Sequence, residues 1–168
     1  MNLEPEHPAL TLAAIGLIHS PYKETVGIPI QPVFAEGTEG TVEVLPQYAE
    51  GLRDLAGFER LWLIYWFHKA APGQLRVIPF RDTTERGIFA TRAPCRPTAI
   101  GLSCVRLISV TGNVLTIGGV DILDDTPLLD IKPYVSKFDA FPNSRGGWFD
   151  QAAASPGTHA DDRFAQQA

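Results

Sequence analysis

Apolar and polar positions alternate along this chain in short runs separated by Gly, Pro and Asn, the period of half-buried strands. The run GTVEVL at 40–45, for example, sets Val42 and Val44 on one face. This spacing predicts strands over 12–19, 40–45, 75–80, 100–110, 114–117, 120–123 and 129–134. Segment 60–68 (RLWLIYWFH) is apolar at both sets of alternating positions, which predicts a strand covered on both faces. Thr111-Gly112-Asn113 marks a hairpin between two of these runs, and Gly118-Gly119 a bulge or a close backbone approach. One segment has helical spacing: Pro46 opens it, Tyr48, Leu52 and Leu55 repeat on one face, and Gly57 stops it, predicting a helix over 46–55. Many short strands and one clear helix predict an all-β architecture, a barrel or closed sheet, with at most one or two short helices. The organisation expected is a flexible lead-in at 1–10, one domain over 11–150, and a small, polar tail at 151–168 that is disordered or loosely docked.

Composition changes this picture little, and charge changes it more. At 45% hydrophobic and 20% charged residues the chain is an ordinary globular sequence, and no run approaches the length of a membrane span. The acidic, proline-bearing start MNLEPEHPAL does not read as a signal peptide, so a cytoplasmic location is expected. Cys95 and Cys104 make neither a disulfide framework nor a zinc site and read as small semi-buried side chains. The net charge of −5 argues against a nucleic-acid partner, yet residues 69–106 hold seven basic residues against two acidic ones, a local patch able to meet a polyanion.

The candidate chemistry lies in three loops, 21–32, 87–103 and 121–134. The first is too rich in proline for a helix and extends toward a ligand. The second carries Arg92 and Arg96, planar forks for a carboxylate or phosphate, on a backbone shaped by Pro94, Pro97 and Gly101. The third gathers Asp121, Asp124, Asp125 and Asp130 with Thr126, Lys132 and Tyr134. Paired acids of that kind serve a hydrolase or a divalent cation, or merely form a turn. No dinucleotide or P-loop fingerprint occurs. Basic, aromatic and acidic groups together suit an amphiphilic ligand with a carboxylate, a cation, a ribose and an adenine, and S-adenosylmethionine has all four.

Five segments in order, IGLIHSPYKE (15–24), GIPIQP (27–32), LAGFERLWLIYWFH (55–68), RGIFATRAPCRPTAIGLS (86–103) and VDILDDTPLLDIKPYVSKFD (120–139), resemble the TrmO family, also called TsaA-like or YaeB-like. The resemblance implies a single-sheeted β-barrel that binds S-adenosylmethionine, works as a homodimer without a metal, and methylates N6 of threonylcarbamoyl-modified adenosine 3′ of the anticodon in tRNA. Carried over by motif, the cofactor-binding residues would be Pro29, Ile30, Gln31, His68, Lys69, Arg92, Leu102, Leu123, Asp124, Asp125 and Thr126. Asp124 and Tyr134 are the expected catalytic groups, close to the N6 proton, and Arg76, Arg81, Arg86 and Arg96 the expected phosphate contacts. The alternative is an S-adenosylmethionine-binding regulatory protein or small-molecule methyltransferase without tRNA activity. This chain departs from the family pattern at Ile30, where an arginine is usual, at Thr98-Ala99, and at Asp125, which replaces a glycine.

Overall fold

A computed structural model describes residues 10–151 and 159–165. Six strands close into an antiparallel barrel: β1 (Gly16–His19), β2 (Glu39–Val44), β3 (Arg60–Trp66), β6 (Ile100–Thr111), β7 (Val114–Gly118) and β8 (Thr126–Pro133). Their order is β1-β2-β7-β6-β3-β8, and β8 returns to β1 through Gly16 opposite Leu128, so the main sheet has no edge. Two two-residue strands, β4 (Arg76–Val77) and β5 (Arg86–Gly87), form a separate ribbon in the long connection between β3 and β6.

Alternation fills the barrel as the pattern required: Ile18, Val42, Leu61, Leu63, Leu115 and Leu128 all point inward with no exposed surface. Strand β3 differs from expectation. It stops at Trp66, and its outer face is half-covered at Trp62 and Ile64 and open at Trp66. A single small barrel has no second layer to cover that face; the edge-on ring of Tyr134, 5.8 Å from Trp62, and the ring of His68, 6.3 Å from Trp66, shield part of it.

The expected helix over 46–55 is instead two 3₁₀ turns, Pro46–Leu52 and Leu55–Gly57, broken where Arg53 is extended and Asp54 is left-handed (φ 65°). Gly51 weakens the segment, and only Leu52 and Leu55 are buried, too little apolar surface to sustain a longer helix. The only α-helical turn among the described residues is α1 (Ser136–Asp139). The strand expected at 75–80 shrinks to β4, and 120–123 is a buried loop. That loop is held by the Ser20 hydroxyl donating to the Ile122 carbonyl at 2.6 Å, a hydrogen bond that replaces strand pairing. Strand β8 begins at Thr126, inside the expected Asp-Asp-Thr-Pro turn, because the Thr126 hydroxyl closes that turn early on the Leu123 carbonyl (2.7 Å).

Above one end of the barrel the connection from β3 to β6 forms a second small core around Val77, Ile88, Ala93 and Cys95. Phe164, from the tail, completes it and meets Phe80 edge-on at 4.9 Å. Residues 159–165 are docked: the Ala160 amide donates to Ile28, and Gly27 donates back to Ala160. The rest of the expected flexible ends, 1–9, 152–158 and 166–168, lies outside the described residues. No described helix is long and apolar enough to cross a membrane.

Candidate functional site

At the end of the barrel where β3 finishes and β6 and β8 begin, a cavity of about 320 Å³ opens among five chain segments: 28–31, 67–70, 91–102, 121–126 and 160–165. Its floor is set by one close approach. Tyr65 pairs across the sheet with Gly101, and a Cβ there would lie 2.2 Å from the Tyr65 ring, so only glycine lets the ring lie flat against β6. The pairing of β3 with β8 slips between Ile64 and Tyr65, a bulge that turns Tyr65 toward the cavity. Its hydroxyl lies 3.0 Å from the Ser103 hydroxyl, and its ring meets Phe67 edge-on at 5.3 Å. Burial, reinforced by the charge of Asp121, pushes the Tyr65 phenol well above its ordinary value, so it stays neutral.

Asp121 shares this floor. Its Oδ1 is buried with no hydrogen-bond partner. Burial pushes the carboxyl up to about 7, against the opposing pull of the Ser103 hydroxyl and the Arg92 guanidinium. An orphaned buried carboxylate oxygen at a cavity costs stability unless a ligand satisfies it. Sequence reasoning counted Asp121 among the four acids of 121–130, one of which was expected near the N6 proton, but singled out Asp124. Its signal was its setting, one carboxylate between Gly118-Gly119-Val120 and Ile122-Leu123. Tyr65 and Phe164 were also missed, the first read as core and the second assigned to the tail.

Nine of the eleven expected cofactor residues line the cavity. Pro29, Ile30 and Gln31 make one wall, which the docked tail fixes through a bridge between Pro29 and His159. Arg92 reaches across to that wall and donates to Gln31 Oε1 at 2.7 Å. His68 and Lys69 follow β3, and burial, then the Lys69 charge, lowers the proton affinity of His68 and favours the neutral ring. Leu102, Leu123 and Thr126 close the apolar side.

Asp124 and Asp125 do not line it. Asp124 accepts from the Ser20 amide (2.9 Å) and from the Lys23 ammonium. Burial works against its charge, but these donors hold the carboxyl below its ordinary value. It is thereby committed to tying the first loop to the third. Asp125 adopts φ 57°, the left-handed region where the family's glycine is at home, and its exposed carboxylate meets His19 Nδ1 at 3.1 Å. It therefore does not crowd the cavity. His19, Asp124 and Asp125 do bring three ligand atoms within 4.8 Å of one another, but Lys23 already holds one oxygen of Asp124. Tyr134 stands at the opposite end of β8, on Trp62, away from the cavity lining.

The four expected phosphate contacts separate. Arg96 donates to the carbonyls of Ile88 and Thr91 and knits the 88–96 loop. Arg86 is held by Asp82 at 2.7 Å and lies over the Trp148 ring. Arg76 is exposed, 3.5 Å from Glu85, which is also exposed. Arg81 is packed between the rings of Phe34 and Phe149.

The donor set fits S-adenosylmethionine: Arg92 and Lys69 for a carboxylate, Ile30, Leu102 and Leu123 for an adenine, and the orphaned Asp121 oxygen for a cation or a donor. Residues 17–140 match the family described as the tRNA-methyltransferase O N-terminal domain. The chain is 53% identical over 137 residues to a probable S-adenosyl-L-methionine-binding protein of Pyrococcus abyssi, an alignment covering 82% of this chain and 74% of that one. It is 35% identical over 151 residues to the tRNA (adenine(37)-N6)-methyltransferase of Escherichia coli K12, covering 84% of this chain and 64% of the relative. A crystal structure of TrmO from Pseudomonas aeruginosa superposes with a TM-score of 0.73 at 40% identity, covering 88% of this chain and 64% of that one. The chain thus spans just under two thirds of two of these relatives. The barrel, the motif order and these likenesses agree: the chain belongs to the TrmO family, through that family's N-terminal domain.

Proposed function

We propose that this protein is an S-adenosylmethionine-dependent methyltransferase whose acceptor is N6 of N6-threonylcarbamoyladenosine at position 37 of tRNA. The observation that carries the reading is the convergence of five separate segments on one cavity with cationic donors, apolar walls and a carboxylate that has one buried, unpartnered oxygen. The name of the Escherichia coli relative supports the acceptor class.

When bound, S-adenosylmethionine supplies a methyl group activated by a sulfonium cation. Arg92 and Lys69 would hold its carboxylate, and Ile30, Leu102 and Leu123 would give its adenine apolar surface. Asp121 balances the cation, which favours the ionised carboxylate, and that carboxylate is then the group able to accept the proton lost from N6. Asp121 takes the part first assigned to Asp124 and Tyr134. The rest of the chain's contribution is positioning: Gln31 fixes Arg92, and the Tyr65 ring fixes the floor. A homodimer and a cytoplasmic location, where tRNA is modified, belong to the same reading.

A second reading, an S-adenosylmethionine-binding protein or small-molecule methyltransferase without tRNA activity, is favoured by one observation. Arg86 and Arg96 are engaged within the chain, which leaves few cations for phosphate. Calorimetry with S-adenosylmethionine, followed by mass spectrometry of tRNA nucleosides from a strain lacking and then regaining the gene, separates the two. Binding with return of the N6-methylated nucleoside supports the first. Binding with unchanged nucleosides leaves only the second, and absence of binding removes both.

A further inference from the structure

A second cavity, about 670 Å³, adjoins the first and shares with it the wall made by Ile30, Gln31, Thr91 and Arg92. Its far side differs in character. Phe89, Trp148 and Phe149 present aromatic surface, with Phe89 78% and Phe149 49% exposed. Trp148 is fixed by its indole N–H, which donates to the Ala90 carbonyl at 2.8 Å. Arg81 also lines this cavity, its guanidinium 5.4 Å from the Phe34 ring centre and 5.3 Å from that of Phe149. Its Nε is buried and has no hydrogen-bond partner.

These features have a joint explanation. A guanidinium held between two rings has lost its rotational freedom before any ligand arrives, and an unsatisfied buried N–H is costly unless something completes it. The natural complement of a rigid fork is an oxyanion, and that of an exposed aromatic wall is a planar base removed from its stack. The shared wall puts such a base next to the cavity already described, as group transfer between two bound molecules requires.

We propose that the second cavity is the acceptor site, taking an unstacked purine nucleotide against Phe89, Trp148 and Phe149, with an oxyanion of that nucleotide on Arg81. The proposal rests on the function proposed above and names the substrate chemistry of the same site. The oxyanion is either the carboxylate of an acidic substituent on the base or a phosphate of the backbone.

The test uses the full chain and Arg81→Met, which keeps an unbranched stem between the rings and removes the fork. The probe is N6-threonylcarbamoyladenosine 5′-monophosphate, titrated by calorimetry in the presence of S-adenosylhomocysteine. Its nucleoside lacks the phosphate, and adenosine 5′-monophosphate lacks the carboxylate. The expected result is saturable binding that Arg81→Met weakens about tenfold or more, with affinity for S-adenosylmethionine unchanged within about twofold. If the carboxylate is the anchor, the substitution weakens the nucleoside and spares adenosine 5′-monophosphate; if the phosphate is, the reverse holds. Unchanged nucleotide affinity in Arg81→Met overturns the proposal, as does an equal loss for S-adenosylmethionine or no nucleotide binding by the wild type. Arg81-dependent nucleotide binding without methylation of any tRNA upholds the acceptor site and defeats the tRNA reading alone.

Discussion

Asp121 is a carboxylate on the cavity floor with one oxygen buried and unpartnered, a cost the fold carries. With burial raising its value from 3.8 to about 7, the folded protein keeps a proton across that window which the unfolded chain has released. Stability therefore falls as pH rises from about 4 to about 7 and levels off above, by on the order of 4 kcal/mol in all. Asp121→Asn removes this slope. Urea unfolding at pH 5 and pH 8 should show the wild type losing about 2.5 kcal/mol more than the variant, and parallel losses would contradict the assignment. His68, shifted the opposite way by burial and Lys69, acts equally in both proteins and drops out of the comparison. Asp125 marks a different kind of residue effect, since a substitution that looks like an obstruction in a motif proves to be a backbone position whose side chain faces out toward His19.

The docked segment 159–165 is the element on which the cofactor wall depends. It pairs with Gly27 and Ile28, directly before Pro29–Gln31, and its anchor is Phe164, buried in the second core against Phe80. Truncating that ring forfeits about 3 kcal/mol of local packing, enough to release a segment this short. Phe164→Ala should weaken S-adenosylmethionine binding about tenfold by calorimetry and leave hydrogen exchange of the barrel amides protected as before. Unchanged affinity would show that the segment is incidental to the site. This element was also the least legible from sequence, because small polar residues without periodicity give no sign of docking, and one phenylalanine is a weak signal. The barrel strands were legible because closure leaves each with one inward face, which forces a period of two. The helix expected at 46–55 failed on energetics, since its spacing was right but two buried leucines could not hold it. Nine of the positions expected from motif order line one cavity. Motif order did not foresee that Asp124 lies outside the lining and binds Ser20 and Lys23, because a carboxylate in a motif can serve the loop as easily as a ligand.

At the scale of the whole molecule, the proposed tRNA partner is a polyanion, and this acidic protein has few free cations to meet it. The net charge is −5, and of four arginines expected to meet phosphate, Arg86 and Arg96 are consumed internally and Arg81 is enclosed in a cavity. If tRNA is the partner, recognition must lean on the pocketed base more than on backbone neutralisation. Two phosphate contacts, from Arg76 and Arg81, give a slope of log K against log salt of about −1.4. Affinity for tRNA should then fall by only about tenfold between 50 and 200 mM salt, as read by fluorescence anisotropy. Removing the threonylcarbamoyl group should cost more than that rise in salt. A slope steeper than about −4 would mean that a different, more basic surface does the docking, and that the cavities account for chemistry but not for capture.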